Sequence, residues 1–344
     1  MKKVVVIGGG FAGAYCARRL ETKFDLTLID SKDYYEFTPA VLRTIVEPWH
    51  ARRIEVEHRR YLKKAKIVKS MVTKVTPNSA FVGDKEYSFD YLIIAAGSSY
   101  TTPIKEDNLV VSSRAAELKE YAERLREAER VLVIGGGIVG VELAAEIITH
   151  FPSKKVTILH SGQKLIDRNP PRAIEYTTNW LTKRGVEIIY GERASGTKDG
   201  LYETDKGRKM KVDLAFWCTG ITPNGNLVGD SLSAALGKNH SINVNPYMQV
   251  MGCSHIFAAG DLTGIREEKT AQNAEKQAGV VVENIIRLEA GKDLVSYESK
   301  PRVMIISLGK WDGFLTYKNF VVTGLIPGLL KNVVEWKTMV HYRS

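Results

Sequence analysis

The sequence predicts an α/β fold of two three-layer units, the second inserted into the first, followed by a small α+β region. Two observations lead to this prediction. A run of β-branched residues ends in a glycine-rich turn and continues into a helical pattern twice, at 4–20 and at 131–148. Each unit also closes with an apolar run that ends in glycine, at 91–97 and at 214–220. Strands that alternate with helices in this way are typical of parallel sheets covered by helices.

The two turns share the pattern G-x-G-x-x-G, read as Gly8-Gly9-Gly10-Phe11-Ala12-Gly13 and Gly135-Gly136-Gly137-Ile138-Val139-Gly140. In such a turn the first glycine permits the bend, the second lets the backbone approach a pyrophosphate, and the third lets the helix pack closely. The phosphates then lie at the helix N-terminus, where free N–H groups favour negative charge. One copy is weak evidence, but two copies in this context predict two Rossmann-like domains that hold two dinucleotides face to face.

The first unit begins with a predicted strand at 3–7, a helix at 10–20 and a second strand at 25–29. Asp30 ends that strand, where a carboxylate is expected to bind the adenosine ribose of a dinucleotide. Residues 66–89 alternate in hydropathy and carry turn signals, so we expect a small antiparallel insertion there.

The second unit follows a charged helix at about 115–129, and its second strand ends at His160. The chain then returns to the first unit through a strand that ends in Asp261 and a helix from about 271 to 288. We therefore expect one domain at 1–112 and 247–292, a second at 113–246, and a C-terminal region at 293–344.

The C-terminal region ends in an amphipathic pattern. Apolar residues recur at helical spacing at Leu329, Leu330, Val333, Val334, Trp336 and Val340. Such a helix packs on its own domain, packs on a second subunit in a homodimer, or lies in a membrane surface. We favour reversible, peripheral attachment to a membrane.

Composition narrows the classes of protein. The chain is 44% hydrophobic and 26% charged, as in ordinary soluble proteins, and no apolar run approaches the roughly 20 residues of a membrane span. The net charge of +10 favours, in this order, anionic lipid, an acidic protein or nucleic acid. No basic motif interleaved with aromatic residues supports nucleic acid. Because Met1-Lys2-Lys3 leads directly into the first strand, we expect no signal peptide and a cytoplasmic protein on the inner face of the membrane.

The three cysteines are Cys16, Cys218 and Cys253, and none forms a CxxC or CxxxxC pair. This spacing argues against a redox-active disulfide and against a metal site.

The order of the motifs GGGFAG, AAG, GGGIVG, CTG and AAGD resembles that of flavoproteins with two dinucleotide-binding domains. These include type II NADH dehydrogenases, sulfide:quinone reductases and relatives of apoptosis-inducing factor. Residues 40–43, 156–161 and 335–339 resemble the quinone-reducing, ferroptosis-suppressor branch. The resemblance implies FAD at the first glycine-rich turn and an exchangeable NAD(P)H at the second.

The resemblance also implies which residues contact the cofactors. For FAD they are Gly8, Gly9, Gly10, Phe11, Ala12, Gly13, Asp30, Lys32, Arg43, Val72, Ala96, Gly97, Gly260, Asp261, Thr270 and Ala271. For the nicotinamide cofactor they are Gly135, Gly137, Ile138, Val139, Gly140, His160, Ser161, Gly220 and Ile221. Asp261 is expected to reach the ribityl and phosphate part of FAD, although it could instead cap the helix that follows. For Arg43 the alternative is a surface or helix-cap charge.

Two further residues are candidates for a role in the chemistry. Glu142 either orients the nicotinamide against the flavin or complements the dipole of the helix that it starts. Lys269 either lies near the isoalloxazine, where its charge stabilises reduced flavin, or is a solvated lysine at a helix start.

The choice of nicotinamide cofactor is expected at the end of the second strand of the second unit. NAD enzymes place an acid there for the ribose 2′-OH, whereas NADP enzymes favour positive charge. This chain has His160-Ser161, with Lys164 and Arg168 nearby, so we expect NADPH to be accepted, together with NADH.

The leading functional hypothesis is an FAD-dependent NAD(P)H:quinone oxidoreductase. The first alternative is a reductase of a small acidic redox protein such as ferredoxin or rubredoxin. The second is a flavoprotein that acts by binding nucleic acid.

Overall fold

The computed structural model describes residues 1–100, 114–198 and 200–344. The first parallel sheet has the order β19-β9-β1-β2-β5, with β1 (Lys3–Ile7), β2 (Asp25–Asp30), β5 (Lys66–Lys69), β9 (Tyr91–Ile94) and β19 (Ile256–Ala258). The second has the order β13-β12-β11-β17, with β11 (Arg130–Ile134), β12 (Lys155–His160), β13 (Glu187–Tyr190) and β17 (Leu214–Trp217). The α/β class and the parallel sheets of Rossmann-like units are confirmed.

Helices cover these sheets because strands of parallel sheets bury both faces. The longer helices are α1 (Phe11–Leu20), α5 (Arg114–Glu127), α6 (Ile138–His150), α7 (Pro171–Thr182), α8 (Ala271–Glu289) and α9 (Leu325–Arg343). Three single-turn helices lie between the second and fifth strands, namely α2 (Arg43–Val46), α3 (Ala51–Ile54) and α4 (His58–Tyr61). Valine and isoleucine side chains of β1 and β11 are buried, and they form the centre of each core.

Smaller antiparallel sheets decorate the two units. They are β3 (Tyr34–Glu36) with β4 (Glu55–Glu57); β6 (Lys74–Val75), β7 (Ser79–Val82) and β8 (Lys85–Ser88); and β14 (Ala194–Lys198), β15 (Leu201–Thr204) and β16 (Lys209–Lys211). The predicted insertion at 66–89 is wrong for its first four residues. Lys66–Lys69 pair in parallel with β2 at the edge of the main sheet, and only 74–88 form the antiparallel sheet.

Two features join the units. Strand β19 pairs with β9, so the chain returns to the first sheet after completing the second. The short strands β10 (Ser98–Tyr100) and β18 (Ile221–Pro223), one from each unit, pair antiparallel in a two-stranded sheet of their own. The predicted domain boundary at 112/113 lies outside the described residues, and the proposed boundaries stay predictions.

The C-terminal region is a three-stranded antiparallel sheet followed by α9. Its strands are β20 (Met304–Leu308), β21 (Asp312–Tyr317) and β22 (Phe320–Thr323). Helix α9 buries Pro327, Glu335, Met339 and Tyr342, whereas the apolar residues predicted from helical spacing are exposed. In the described ranges no helix is both long and apolar enough to cross a membrane.

Candidate functional site

A cavity of about 2080 Å³ lies between the two glycine-rich turns and is lined by residues of both units and of the C-terminal region. Sites for a single small ligand usually measure about 300–1,000 Å³, so this cavity has room for two dinucleotides. Of the residues predicted to contact the cofactors, all line the cavity except Gly9, Gly13, Gly140 and Arg43.

The two turns have equivalent steric demands. An ideal Cβ on Gly8 would lie 2.3 Å from the Ala95 carbonyl oxygen, and one on Gly135 would lie 2.3 Å from the Cys218 carbonyl oxygen. A Cβ on Gly13 or Gly140 would lie within 2 Å of the backbone of its own turn. Both turns therefore require glycine for the bend and for the close approach of helix to strand, as the motif predicts.

The middle glycines, Gly10 and Gly137, differ from these because a Cβ on either would meet no described atom within 4 Å. Each is the N-cap of its helix, without a side-chain cap and without an acid in the first turn. The N-termini of α1 and α6 also line the cavity. This geometry fits a pyrophosphate at each turn.

Asp30 has a buried carboxylate at the end of β2. Its Oδ2 accepts a hydrogen bond from His58 Nε2 at 3.0 Å. Burial alone would raise the pKa of Asp30, but the hydrogen bond from His58 and the charge of Lys32 outweigh burial and hold this pKa below its usual value.

Strand ends from the rest of the first sheet complete this half of the cavity. Asp261 follows β19, and its Oδ2 accepts a hydrogen bond from Ser98 Oγ at 3.0 Å. Thr270 caps α8 by accepting from Asn273 N at 3.3 Å. The alternative of Asp261 as cap of that helix is therefore wrong, because Thr270 has this role.

Lys269 lines the cavity, but its ammonium group also holds the loop before α8. Nζ donates to the carbonyl oxygens of Thr263 at 2.7 Å and Ile265 at 3.0 Å. Burial lowers the pKa of Lys269 from its usual value. The solvated-lysine alternative is wrong, and a role beside the flavin stays a prediction.

His160 ends β12 in the second half of the cavity. Its Nδ1 accepts from Gly136 N at 3.1 Å, which leaves Nε2–H to donate to the Lys164 carbonyl oxygen at 3.0 Å. The imidazole thus lies against the glycine-rich turn, where an NAD enzyme would have a carboxylate. Ser161, Arg168 and Arg193 line the cavity beside it.

Glu142 does not lie in the first turn of α6 and does not complement its dipole. Its Oε1 accepts from Ser307 N at 2.9 Å and from Ser307 Oγ at 3.0 Å, and it pairs with Lys331 Nζ. Lys331 also donates to Ser307 Oγ at 3.0 Å. Glu142 and Lys331 both line the cavity, so this cluster presents a buried acid and an ammonium group to its interior.

Arg43, predicted to contact FAD, does not line the cavity. Its guanidinium donates to Glu146 Oε1 at 3.0 and 3.2 Å and to Asn332 Oδ1 at 3.2 Å. The structure places Arg43 as a buried link between the first unit, α6 and α9, because its charge is already satisfied by Glu146. The interpretation of Arg43 as a surface charge is wrong, because its side chain is buried.

The sequence from 2 to 278 matches the family described as pyridine nucleotide-disulphide oxidoreductases. The chain belongs to this family. Apoptosis-inducing factor homolog A of Dictyostelium discoideum is 31% identical over 376 residues, covering 100% of this chain and 92% of the relative. Ferroptosis suppressor protein 1 of Homo sapiens is 30% identical over 358 residues, covering 98% and 95%.

Solved structures share the fold. Sulfide:quinone oxidoreductase of Aquifex aeolicus has a TM-score of 0.83 at 19% identity, covering 100% of this chain and 92% of that one. NDH2 of Plasmodium falciparum, solved with NADH, has a TM-score of 0.82 at 15% identity, covering 99% and 96%.

As a pyridine nucleotide-disulphide oxidoreductase, the protein is a flavoprotein that uses FAD and NAD(P)H, which confirms the predicted cofactors. It differs from the family's disulfide-reducing members because Cys16, Cys218 and Cys253 are all free thiols. Burial raises the pKa of each thiol, which disfavours the reactive thiolate. The described ranges also hold no cluster of potential metal ligands.

Sequence reasoning missed Lys331 at the cavity, and Ser307 and His58 behind it. All three reach the site from segments far along the chain, so no local motif marks them. One signal was available: in the C-terminal helical pattern, Lys331 falls outside the apolar face.

Proposed function

We propose that this protein is an FAD-dependent NAD(P)H:quinone oxidoreductase attached peripherally to a membrane. The observation that carries the proposal is the Glu142–Ser307–Lys331 cluster. Its Glu142 and Lys331 line the cavity, and Lys331 belongs to α9, the helix with an exposed apolar side. The fold of a sulfide:quinone oxidoreductase is similar over the whole chain and agrees with this assignment.

The first glycine-rich turn and Asp30 are assigned to FAD, and the second turn with His160 is assigned to NAD(P)H. When bound, these cofactors supply hydride and electron transfer, and the protein supplies alignment and electrostatics. Gly10 and Gly137 leave the helix N-termini open for the two pyrophosphates. The 98–100 and 221–223 strands pair with each other and so link the two units.

The cluster at Glu142 is suited to the protons of quinone reduction. NAD(P)H, one proton and a quinone yield NAD(P)⁺ and a hydroquinone, so each turnover takes one proton from water. We assign Lys331 Nζ as the donor to a quinone oxygen. Glu142 and Ser307 hold this ammonium group at the cavity wall through the hydrogen bonds described above.

Helix α9 is the proposed membrane surface. Its exposed apolar residues include Ile326, Val333 and Trp336, at 64%, 53% and 63% exposure. The three-stranded sheet packed against it adds exposed Trp311 and Phe320. Exposed apolar surface of this kind marks an interaction site. The net charge of +10 favours binding to anionic lipid, which we rank above binding to an acidic protein. A homodimer through the same face is the competing outcome of the test given below.

Electron acceptors are distinguished by anaerobic reoxidation. The protein is reduced with NADPH, which bleaches the flavin absorbance, and a soluble quinone or ferredoxin is then added. We expect the quinone to restore the absorbance. Lys331→Met should slow this step by about a hundredfold, within the range for loss of general acid catalysis, without slowing reduction by NADPH.

Lys337→Met is the matched control, because Lys337 is an exposed lysine on the same helix. Rapid reoxidation of the Lys331→Met variant would contradict the role of Lys331. Faster reoxidation by ferredoxin than by quinone would favour the second candidate, a reductase of an acidic redox protein, for which the basic net charge is suited.

A further inference from the structure

His58 contacts the first glycine-rich turn from behind. It begins α4, a single helical turn that is distant in sequence from the turn itself. Its side chain is fully buried, and it does not line the cavity. An ideal Cβ on Gly9 would lie 2.5 Å from His58 Nε2 and 2.6 Å from Asp30 Oδ2. Glycine is therefore needed at position 9 because the imidazole and the carboxylate occupy the space beside it.

The imidazole connects two buried oxygens. Nε2 lies 3.0 Å from Asp30 Oδ2, and Nδ1 lies 2.6 Å from the Tyr61 hydroxyl. Burial raises the pKa of that hydroxyl, so Tyr61 keeps its proton and can donate a hydrogen bond to Nδ1 of the neutral imidazole. The Nε2 proton of His58 then donates to Asp30.

The second glycine-rich turn provides an internal comparison. There the imidazole of His160 comes from the strand end itself, and a Cβ on Gly136 would lie 2.7 Å from its Cγ. Both turns thus have an imidazole against the residue after their first glycine. At the first turn Asp30 lines the cavity and its imidazole partner His58 does not, whereas at the second turn His160 itself lines the cavity.

From this arrangement we propose that His58 is a positioning residue for FAD, which holds one oxygen of Asp30 and so orients the carboxylate toward the adenosine ribose. Tyr61 supports this role by fixing the orientation of the imidazole. The proposal rests on the assignment of FAD to the first turn, and it does not depend on which acceptor is reduced. Loss of a partner that orients a ligating side chain typically weakens binding by about 10- to 100-fold, as measured at metal sites.

The test is a double-mutant cycle on the FAD dissociation constant, measured by titrating FAD into apoprotein and following flavin fluorescence. We expect Asp30→Asn and His58→Leu each to weaken FAD binding by about tenfold or more. The double variant should bind FAD no more weakly than Asp30→Asn alone, because His58 acts through Asp30. His58→Gln, which keeps an N–H donor, should recover most of the affinity.

Two controls separate positioning from general damage to the fold. His50→Leu removes another buried imidazole, one that pairs with Glu335 rather than with Asp30, and should leave FAD affinity unchanged. The affinity of the His58 variants for NADPH, at the other turn, should also be unchanged. Tyr61→Phe is the milder variant should His58→Leu not fold, and it should weaken FAD binding by a smaller factor.

The outcomes are distinct. The positioning role would be overturned if His58→Leu weakened FAD binding by the same factor in the wild-type and the Asp30→Asn background. Wild-type FAD affinity in the His58→Leu variant would also overturn it. Wild-type affinity in Asp30→Asn would instead overturn the placement of FAD at Asp30. If the double-mutant cycle gave the expected FAD affinities but the protein did not reduce quinone, only the proposed acceptor would be refuted, and the role of His58 would stand.

Discussion

At the scale of single residues, substitutions at Gly10 and Gly137 should separate the two cofactor sites in experiments. Both have φ values near −75°, which any residue adopts, and a Cβ on either would meet no described atom within 4 Å. Alanine at these positions should leave the fold intact while filling the space of a pyrophosphate. We predict that Gly10→Ala is purified without FAD, whereas Gly137→Ala keeps FAD and loses NADPH binding. Flavin absorbance and an NADPH titration measure the two effects.

Gly13→Ala is the contrasting variant. Its Cβ would lie 1.8 Å from the Gly8 carbonyl oxygen, so we expect the protein to unfold at lower temperature, or not to fold at all. A Gly137→Ala protein that lacked FAD but bound NADPH would show that the cofactors occupy the opposite turns.

His160 is expected to determine the preference between NADPH and NADH. Replacing it with Asp puts a carboxylate where the 2′-phosphate of NADPH is expected. Because juxtaposed like charges cost on the order of several kcal/mol, kcat/KM for NADPH should fall by about tenfold or more in His160→Asp. The value for NADH should be retained. Steady-state rates with both cofactors test this, and equal loss for both would show that His160 is structural only.

At the scale of elements, α9 has an exposed apolar side in addition to the side that it buries. It buries Glu335, which pairs with His50 at 3.3 Å, and Tyr342, whose ring stacks on Tyr35 at 3.9 Å between centroids. The apolar stripe is left outside. The helical spacing predicted the helix and its apolar face, but the buried side depends on partners near residues 35 and 50 that no local pattern identifies.

The exposed side of α9 leads to a prediction about membranes. Val333→Glu with Trp336→Glu should abolish co-sedimentation with anionic vesicles, because burial of each such side chain in an apolar phase contributes about 1.5–3 kcal/mol. Met251→Glu is the control, since Met251 is 48% exposed and lies outside this helix.

Vesicle binding that survives the paired substitution would contradict α9 as the membrane surface. A wild-type protein that ignores vesicles, and whose dimer dissociates in the same variant on gel filtration, would assign the face to a second copy of the chain.

The strand–turn–helix units were predictable from sequence because their signals are local. A strand, a glycine turn and the carboxylate at the end of the next strand lie within about 25 residues. These elements can therefore be recognised without knowledge of distant contacts. The single-turn helices at 43–61 gave no such signal. They are too short for periodicity, and their conformations depend on distant partners: α2 packs against α5 and α6, whereas α3 and α4 pack against α9.

At the scale of the whole molecule, the cavity is completed by residues that the sequence could not bring together. Glu142 comes from the second unit, whereas Ser307 and Lys331 come from the C-terminal region, more than 160 residues later. The partners of Arg43 were also not predictable, because they too lie far away in the sequence. The resemblance suggested a cofactor contact for Arg43, but the fold brings Glu146 and Asn332 to its guanidinium as hydrogen-bond partners.

Helix α9 also lies along the cavity, since Lys331, Val334 and Thr338 line it. One helix therefore separates the reaction space from the proposed lipid surface. An acceptor dissolved in that lipid would reach the enzyme by lateral diffusion, and its effective concentration would be its mole fraction among the lipids. Turnover would then follow surface-dilution kinetics: additional quinone-free lipid in the same membrane would slow it, although the amount of quinone in the sample is unchanged.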